Sequence, residues 1–196
     1  IIWIFLFFMK KKIVILGSTG SIGKSTLDII RKDKKNFDIV LLTANSNYKK
    51  LIQQAREFNA RSVLINNQLF YRKVKNLLKK NRTKVYTGDI SIKKIIRGKI
   101  DYTMAAIVGI AGLQPTVDAV QISKTVAIAN KETIICGWEI LSKYIKKHKT
   151  KILPVDSEHF SIMELTKDIS DEEIEEIIIT ASGGPFLNMP KNKMSK

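Results

Sequence analysis

The chain has 196 residues, 44% hydrophobic and 27% charged, which suits one globular domain or one and a fraction. One cysteine and two histidines exclude a disulfide framework and a Cys/His zinc site, and they fit a reducing compartment. The formal net charge of +16 raises a nucleic-acid role, but the lysines outnumber the arginines 28 to 6, scatter in pairs beside apolar residues and do not interleave with aromatics, so a lysine-rich composition accounts for them.

The chain opens on Ile1-Ile-Trp-Ile-Phe-Leu-Phe-Phe8, an apolar run well short of the roughly 20 residues of a membrane helix. Residues 1–8 read as extraneous sequence ahead of a start at Met9, or as the tail of a leader, and stand outside the fold. Residues 13–16 are an apolar strand ended by Gly17, and 22–31 a helix. A second strand at 38–42 and a helix at 48–58 follow, the helix carrying Leu51, Ile52, Ala55 and Phe58 on one face. Residues 62–65 are a strand, 68–80 a helix, 85–86 a short strand and 90–96 a helix. Residues 102–108 are a strong strand, and Gln114-Pro115 opens a helix through Ile122 with proline in the first turn. A strand at 125–129, a helix at 131–146 and a strand at 152–155 closed by Asp156 come next. Residues 161–165 look helical, and 174–180 strand-like. Apolar strands alternating with amphipathic helices predict an α/β fold, a Rossmann-like, doubly wound, mainly parallel sheet.

Charge divides the chain. Residues 1–151 carry 30 bases and 9 acids, residues 152–196 carry 4 bases and 9 acids. That break predicts a change of domain or of role near Lys151, with one domain over 9–151 and the start of a second over 152–196.

Gly17-Ser-Thr-Gly20-Ser-Ile-Gly23 follows a strand and opens a helix, the setting in which backbone N–H groups hold a pyrophosphate. The rival is a P-loop: Ser18 to Ser25 matches that motif except that Ser18 replaces its first glycine. An NAD site would place an acid at the end of the second strand. Here that end reads Asn45-Ser46-Asn47-Tyr48-Lys49-Lys50, with no acid and two lysines, which suits the 2′-phosphate of NADP. Tyr71 and Lys75 have the spacing of a short-chain dehydrogenase pair but come too early in the chain, and read as a chance match.

Leu153-Pro-Val-Asp156-Ser-Glu158-His159 is the sharpest local feature. On extended backbone, residues i and i+2 share a side, so Asp156 and Glu158 could meet on one hard divalent cation, with the Ser157 hydroxyl turned to a ligand. The competing reading is a solvated acidic loop with a helix cap at Asp156 or Ser157. His159 reads as solvated or locally bonded. Asn130-Lys131-Glu132 stands between a strand and a helix and offers an amide, a cation and a carboxylate, or simple capping. Ser182, before Gly183 and Gly184, can approach a phosphate or merely turn the chain. Cys136 reads as a buried small residue.

Five motifs together resemble the 1-deoxy-D-xylulose 5-phosphate reductoisomerase family. They are the Gly17–Gly23 loop, Met104-Ala-Ala-Ile-Val-Gly109, Ala129-Asn-Lys-Glu132, residues 153–159 and Thr180-Ala-Ser-Gly-Gly-Pro-Phe186, in order and at the family's spacing. The resemblance implies reduction and rearrangement of the substrate to 2-C-methyl-D-erythritol 4-phosphate in non-mevalonate isoprenoid synthesis, with NADPH and a divalent metal (Mg2+, Mn2+ or Co2+). It implies that Thr19, Gly20, Ser21 and Ile22 hold the NADPH phosphates and that Asn45, Ser46 and Asn47 surround the 2′-phosphate. Family members often carry glycine and a base where Asn45 and Ser46 stand. Asn130 and Glu132 would contact cofactor, Lys131 the substrate, Asp156 and Glu158 the metal, Ser157 and Glu158 the substrate, and Ser182 its phosphate.

The family chain is about twice as long, so the sequence reads as an N-terminal portion lacking the active-site loop, the third metal carboxylate and the C-terminal helical domain. The resemblance implies a cytoplasmic enzyme (or a plastid-type one if residues 1–8 are leader), a homodimer at full length, with a sugar phosphate as partner and neither nucleic acid nor membrane. The alternatives are a truncated product that binds nucleotide without turnover, or a P-loop NTPase.

Overall fold

The computed structural model describes residues 10–178 and Pro190. Its contacts divide the chain into two compact units, Ile1–Asp156 and Ser157–Lys196.

The first unit alternates β1 (Lys11–Leu16), α1 (Ser21–Lys32), β2 (Phe37–Ala44), α2 (Tyr48–Glu57), β3 (Ser62–Ile65), α3 (Tyr71–Leu78), β4 (Lys84–Thr87), α4 (Ile92–Ile95), β5 (Ile100–Ala105), α5 (Leu113–Ile122), β6 (Ser123–Ile128), α6 (Lys131–His148) and β7 (Lys151–Pro154). The seven strands form one sheet in the order β4-β3-β2-β1-β5-β6-β7, each pair parallel. The strand expected at 152–155, there the start of a second domain, is the seventh strand of this sheet, bonded to β6.

Continuous apolar strands are what a sheet covered on both faces requires. Side chains alternate between the faces. Ile13 and Ile15 of β1 join a core with Leu27 and Ile30 of α1, Leu51 and Ile52 of α2, and Val74 and Leu78 of α3. Val14 and Leu16 join the opposite core with Ile92 of α4, Val117 and Val120 of α5, and Leu141 of α6. Burying each such side chain is worth roughly 1.5–3 kcal/mol.

Four segments differ from the sequence expectation. The helix expected at 68–80 is α3 flanked by 3-10 turns at Gln68–Phe70 and Lys79–Asn81, because the Asn67 side chain accepts from Leu69 N (3.0 Å) and starts a tight turn. The strand expected at 102–108 begins at Ile100 and ends at Ala105; Gly109, at φ +73°, turns the apolar remainder away. In the second unit, α7 spans Ser157–Thr166, longer than the expected 161–165. Residues 174–178 form no strand, though Ile174, Ile177 and Ile178 stand there; such a segment becomes a strand only with a ladder partner. Residues 179–180 of that expectation lie outside the described residues. No described helix is long and apolar enough to cross a membrane.

Candidate functional site

All strands run the same way, so the segments after β1, β2, β5, β6 and β7 share the carboxyl edge of the sheet. The chain order reverses at β1, which lies between β2 and β5. A doubly wound sheet opens a ligand crevice at that point.

The loop after β1 is held rigidly. Gly17 N donates to Thr43 Oγ1 (2.9 Å) and Ser18 N to Thr43 O (2.8 Å), which fastens the loop to β2. Ser18 is fully buried; its Oγ donates to Gln54 Oε1 (2.8 Å), and Gln54 Nε2 donates back to Ser18 O (2.8 Å). Ser18 thus uses both its N–H and its side chain within the fold, which separates this loop from the P-loop reading. Gly17 has φ +81°, and a Cβ there would lie 2.6 Å from Ala106 O, so the exits of β1 and β5 touch backbone to backbone. At Gly23 a Cβ would lie 2.4 Å from Gly17 O, so α1 packs directly on the loop.

Helix α1 starts from Gly20, which brings no capping side chain, and its first turn holds no acid. Gly20 N donates to Gly17 O (3.1 Å), closing the turn; Thr19 is half-buried, while Gly20, Ser21 and Ile22 are exposed. Such a helix start presents backbone donors and a positive partial charge outward.

Asn45, Ser46 and Asn47 are exposed at the end of β2. The Asn47 side chain caps α2 by accepting from Lys50 N (3.2 Å). The loop after β3 lies alongside, with Asn66 N donating to Ala44 O and Asn67 N to Asn45 O, both at 2.9 Å.

Asn130 is only 4% exposed. Its Nδ2 donates to Ile107 O (2.5 Å) and Gly109 O (2.7 Å), and its Oδ1 accepts from Thr133 N (3.0 Å) as the cap of α6. One amide therefore ties the turn after β5 to the start of α6. Lys131 is exposed and Glu132 half-buried in the first turn of α6. Neither the Ser18–Gln54 pair nor the turn held by Asn130 was apparent from motifs. The available signal was Gln54 itself, a polar residue at an inward position of an amphipathic helix.

Asp156 follows β7, and Ser157 and Glu158 open α7. The extended backbone assumed for the pairing of Asp156 with Glu158 is thus replaced by a helix start, where Glu158 suits the helix dipole. Ser157 Oγ donates to Glu158 Oε2 (2.9 Å). Among the described residues no group of three or more His, Cys, Asp or Glu side chains could hold a metal ion. Ser182 lies outside the described residues. Cys136 is exposed, not buried, because it falls on the outer side of α6. Tyr71 and Lys75 meet on α3, the ammonium 5.4 Å from the ring centroid.

A family model described as 1-deoxy-D-xylulose 5-phosphate reductoisomerase matches residues 13–137, and one for the C-terminal domain of the same enzyme matches residues 152–196. The 1-deoxy-D-xylulose 5-phosphate reductoisomerase of Pelagibacter ubique (strain HTCC1062) is 51% identical over 185 residues, 93% of this chain and 48% of its own. The reductoisomerase structure from Zymomonas mobilis in complex with NADPH matches with a TM-score of 0.86 at 37% identity, covering 93% of this chain and 48% of its own. A reductoisomerase structure in complex with NADPH, fosmidomycin and magnesium matches with a TM-score of 0.83 at 33% identity, covering 94% and 48%. The chain spans about half the length of the curated relatives it matches.

Proposed function

This chain belongs to the 1-deoxy-D-xylulose 5-phosphate reductoisomerase family, and from that premise we propose that it supplies the cofactor-binding part of an NADPH- and divalent-metal-dependent enzyme. That enzyme converts 1-deoxy-D-xylulose 5-phosphate into 2-C-methyl-D-erythritol 4-phosphate. The observation that carries the reading is the rigid, acid-free glycine loop at the point where the strand order reverses. A cytoplasmic location and a homodimer at full length belong to the same reading.

The residues present fit both groups in donor chemistry. Thr19, Gly20, Ser21 and Ile22 offer backbone donors to a pyrophosphate, and Asn45, Ser46 and Asn47 offer small polar side chains to the adenosine ribose and its phosphate. NADPH, when bound, supplies the hydride. Asn130 serves the cofactor through the turn it holds, and Glu132 lies at the same edge. Asp156 and Glu158 bring carboxylate oxygens suited to a hard divalent cation, which when bound is a Lewis acid for a hydroxy-ketone. Lys131 answers negative charge developing on a substrate oxygen. Ser157, Glu158 and Ser182 bind the substrate, Ser182 at its phosphate.

The test is Asp156→Asn in the full-length protein. Turnover is expected to vanish while NADPH affinity stays within about two-fold, since only the cation's carboxylate changes. Turnover at the unaltered rate would remove Asp156 from the metal site.

A further inference from the structure

The segments that frame the end of β2 contain no acid at all: residues 43–54 carry Lys49 and Lys50, and residues 66–82 carry Arg72, Lys73, Lys75, Lys79, Lys80 and Arg82. Side chains of the loop itself, Asn45, Ser46 and Asn47, are neutral. A dianionic 2′-phosphate needs a cation to distinguish it from a hydroxyl, because neutral donors bind both. The fold brings one cation in from a neighbouring helix. The ring of Phe70 stacks on that of Tyr48, the first residue of α2, with centroids 4.7 Å apart and planes at 26°. On α3, one turn further, Lys73 reaches across so that its ammonium rests 4.8 Å from the Tyr48 ring centroid. The nearby ammonium holds the Tyr48 phenol below its ordinary range.

We propose that Lys73, seated on Tyr48 and steadied by the Tyr48–Phe70 stack, is the residue that selects NADPH over NADH at the end of β2. The inference rests on the cofactor reading above. A lysine already leaning on an aromatic face surrenders less side-chain freedom on binding than a lysine free in water. Two other lysines of these segments are placed differently. Lys50 donates its ammonium to Gln53 Oε1 (3.2 Å) along its own helix. Lys75 leans on Tyr71, on the same helix as itself. Lys73 alone among these reaches from α3 to the residue that follows Asn47.

The experiment compares Lys73→Met with Lys75→Met in the 196-residue chain, titrating NADPH and NADH by fluorescence. Each variant removes one charge from α3 and keeps an apolar stem. The unaltered chain is expected to prefer NADPH. Lys73→Met should weaken NADPH binding by about 10- to 100-fold, the scale of one lost charge-assisted contact, and leave NADH binding within about two-fold. Lys75→Met should leave the preference unchanged. An unchanged preference in Lys73→Met, or an equal loss in Lys75→Met, overturns the assignment to Lys73. Binding of neither nucleotide by the unaltered chain overturns the cofactor reading itself, and this inference with it.

Discussion

The two edges of the sheet use charge in opposite ways. At the amino edge, acids and bases answer one another. Arg61 forks onto Asp38, Glu57 takes Arg31 and Lys34, and Asp101 accepts from Lys124 Nζ at 2.7 Å and from Lys12 N at 2.9 Å. A hollow of about 260 Å³ lies at this edge, lined by Lys10, Lys34, Lys35, Asp38, Glu57 and Phe58 among others, but its acids are the ones already paired. At the carboxyl edge, the glycine loop and the end of β2 carry backbone donors and lysines with no acid among them. Acids reach that edge at the exits of β4, β6 and β7, with Asp89, Glu132 and Asp156. An edge whose charges cancel internally has little to offer a ligand. An edge that leaves backbone donors and cations at the exits of β1 and β2 suits an anionic cofactor.

The largest expected effect strikes the carboxyl edge. In Gly23→Ala the new Cβ would lie 2.4 Å from Gly17 O and 2.6 Å from Ser18 Cα, both backbone atoms with no side chain to swing aside. The expected cost is about 3 kcal/mol in urea unfolding, together with a loss of NADPH affinity of about ten-fold or more. Stability and affinity like those of the unaltered chain would mean that the loop is not the rigid cradle described here.

Asn130 separates position from capping within the same edge. Asn130→Ala loses the cap of α6 and both donors to the turn after β5, an expected cost of about 2 kcal/mol. Asn130→Asp keeps the capping oxygen and loses the donors, so it should fall between the two and still weaken NADPH binding. An aspartate variant that matches the unaltered chain in thermal unfolding and in affinity would show that the bonds to Ile107 O and Gly109 O do not shape the site.

How much of this could be read from the sequence follows from what is local and what is not. The strands were legible because a sheet covered on both faces needs apolar side chains throughout, and 13–16, 38–42 and 62–65 supply them. The glycine loop was legible because its spacing encodes backbone contacts. Apolarity misled where it served something other than a ladder: residues 106–108 continue the β5 pattern yet leave the sheet to border the crevice, and 174–178 have no partner strand. The start of α7 at Ser157 was hidden because Asp-Ser-Glu satisfies a loop pattern and a helix start equally well. Gln54, Asn130 and Lys73 act through partners 20 or more residues away, and no local pattern announces a pairing that only the packed helices create.

The smallest effect belongs to the amino edge and tests whether the two edges are independent. The Asp101 carboxyl is held below the usual carboxylate range, first by the Lys124 ammonium and then by the Lys12 backbone N–H. A carboxyl with a lower pKa when folded stabilises the fold fully above its unfolded value, about pH 4, and that contribution is lost as pH falls through the folded value. The magnitude is small, because the side chains of Asp101 and Lys124 are 29% and 66% exposed, and pairs of this kind contribute about 0.2–1 kcal/mol. Asp101→Asn should therefore lower stability by no more than about 1 kcal/mol at pH 7, with the deficit shrinking as pH falls below the unfolded carboxyl value of about 4, checked by urea titrations at pH 7 and across that fall. NADPH affinity should not move, because Asp101 is the second residue of β5 and the crevice lies beyond the strand's far end, five residues on at Ala106. A fall in affinity on the scale expected for Gly23→Ala would show that strain at the amino edge travels along β5 to the glycine loop, and the division of labour between the edges would fail.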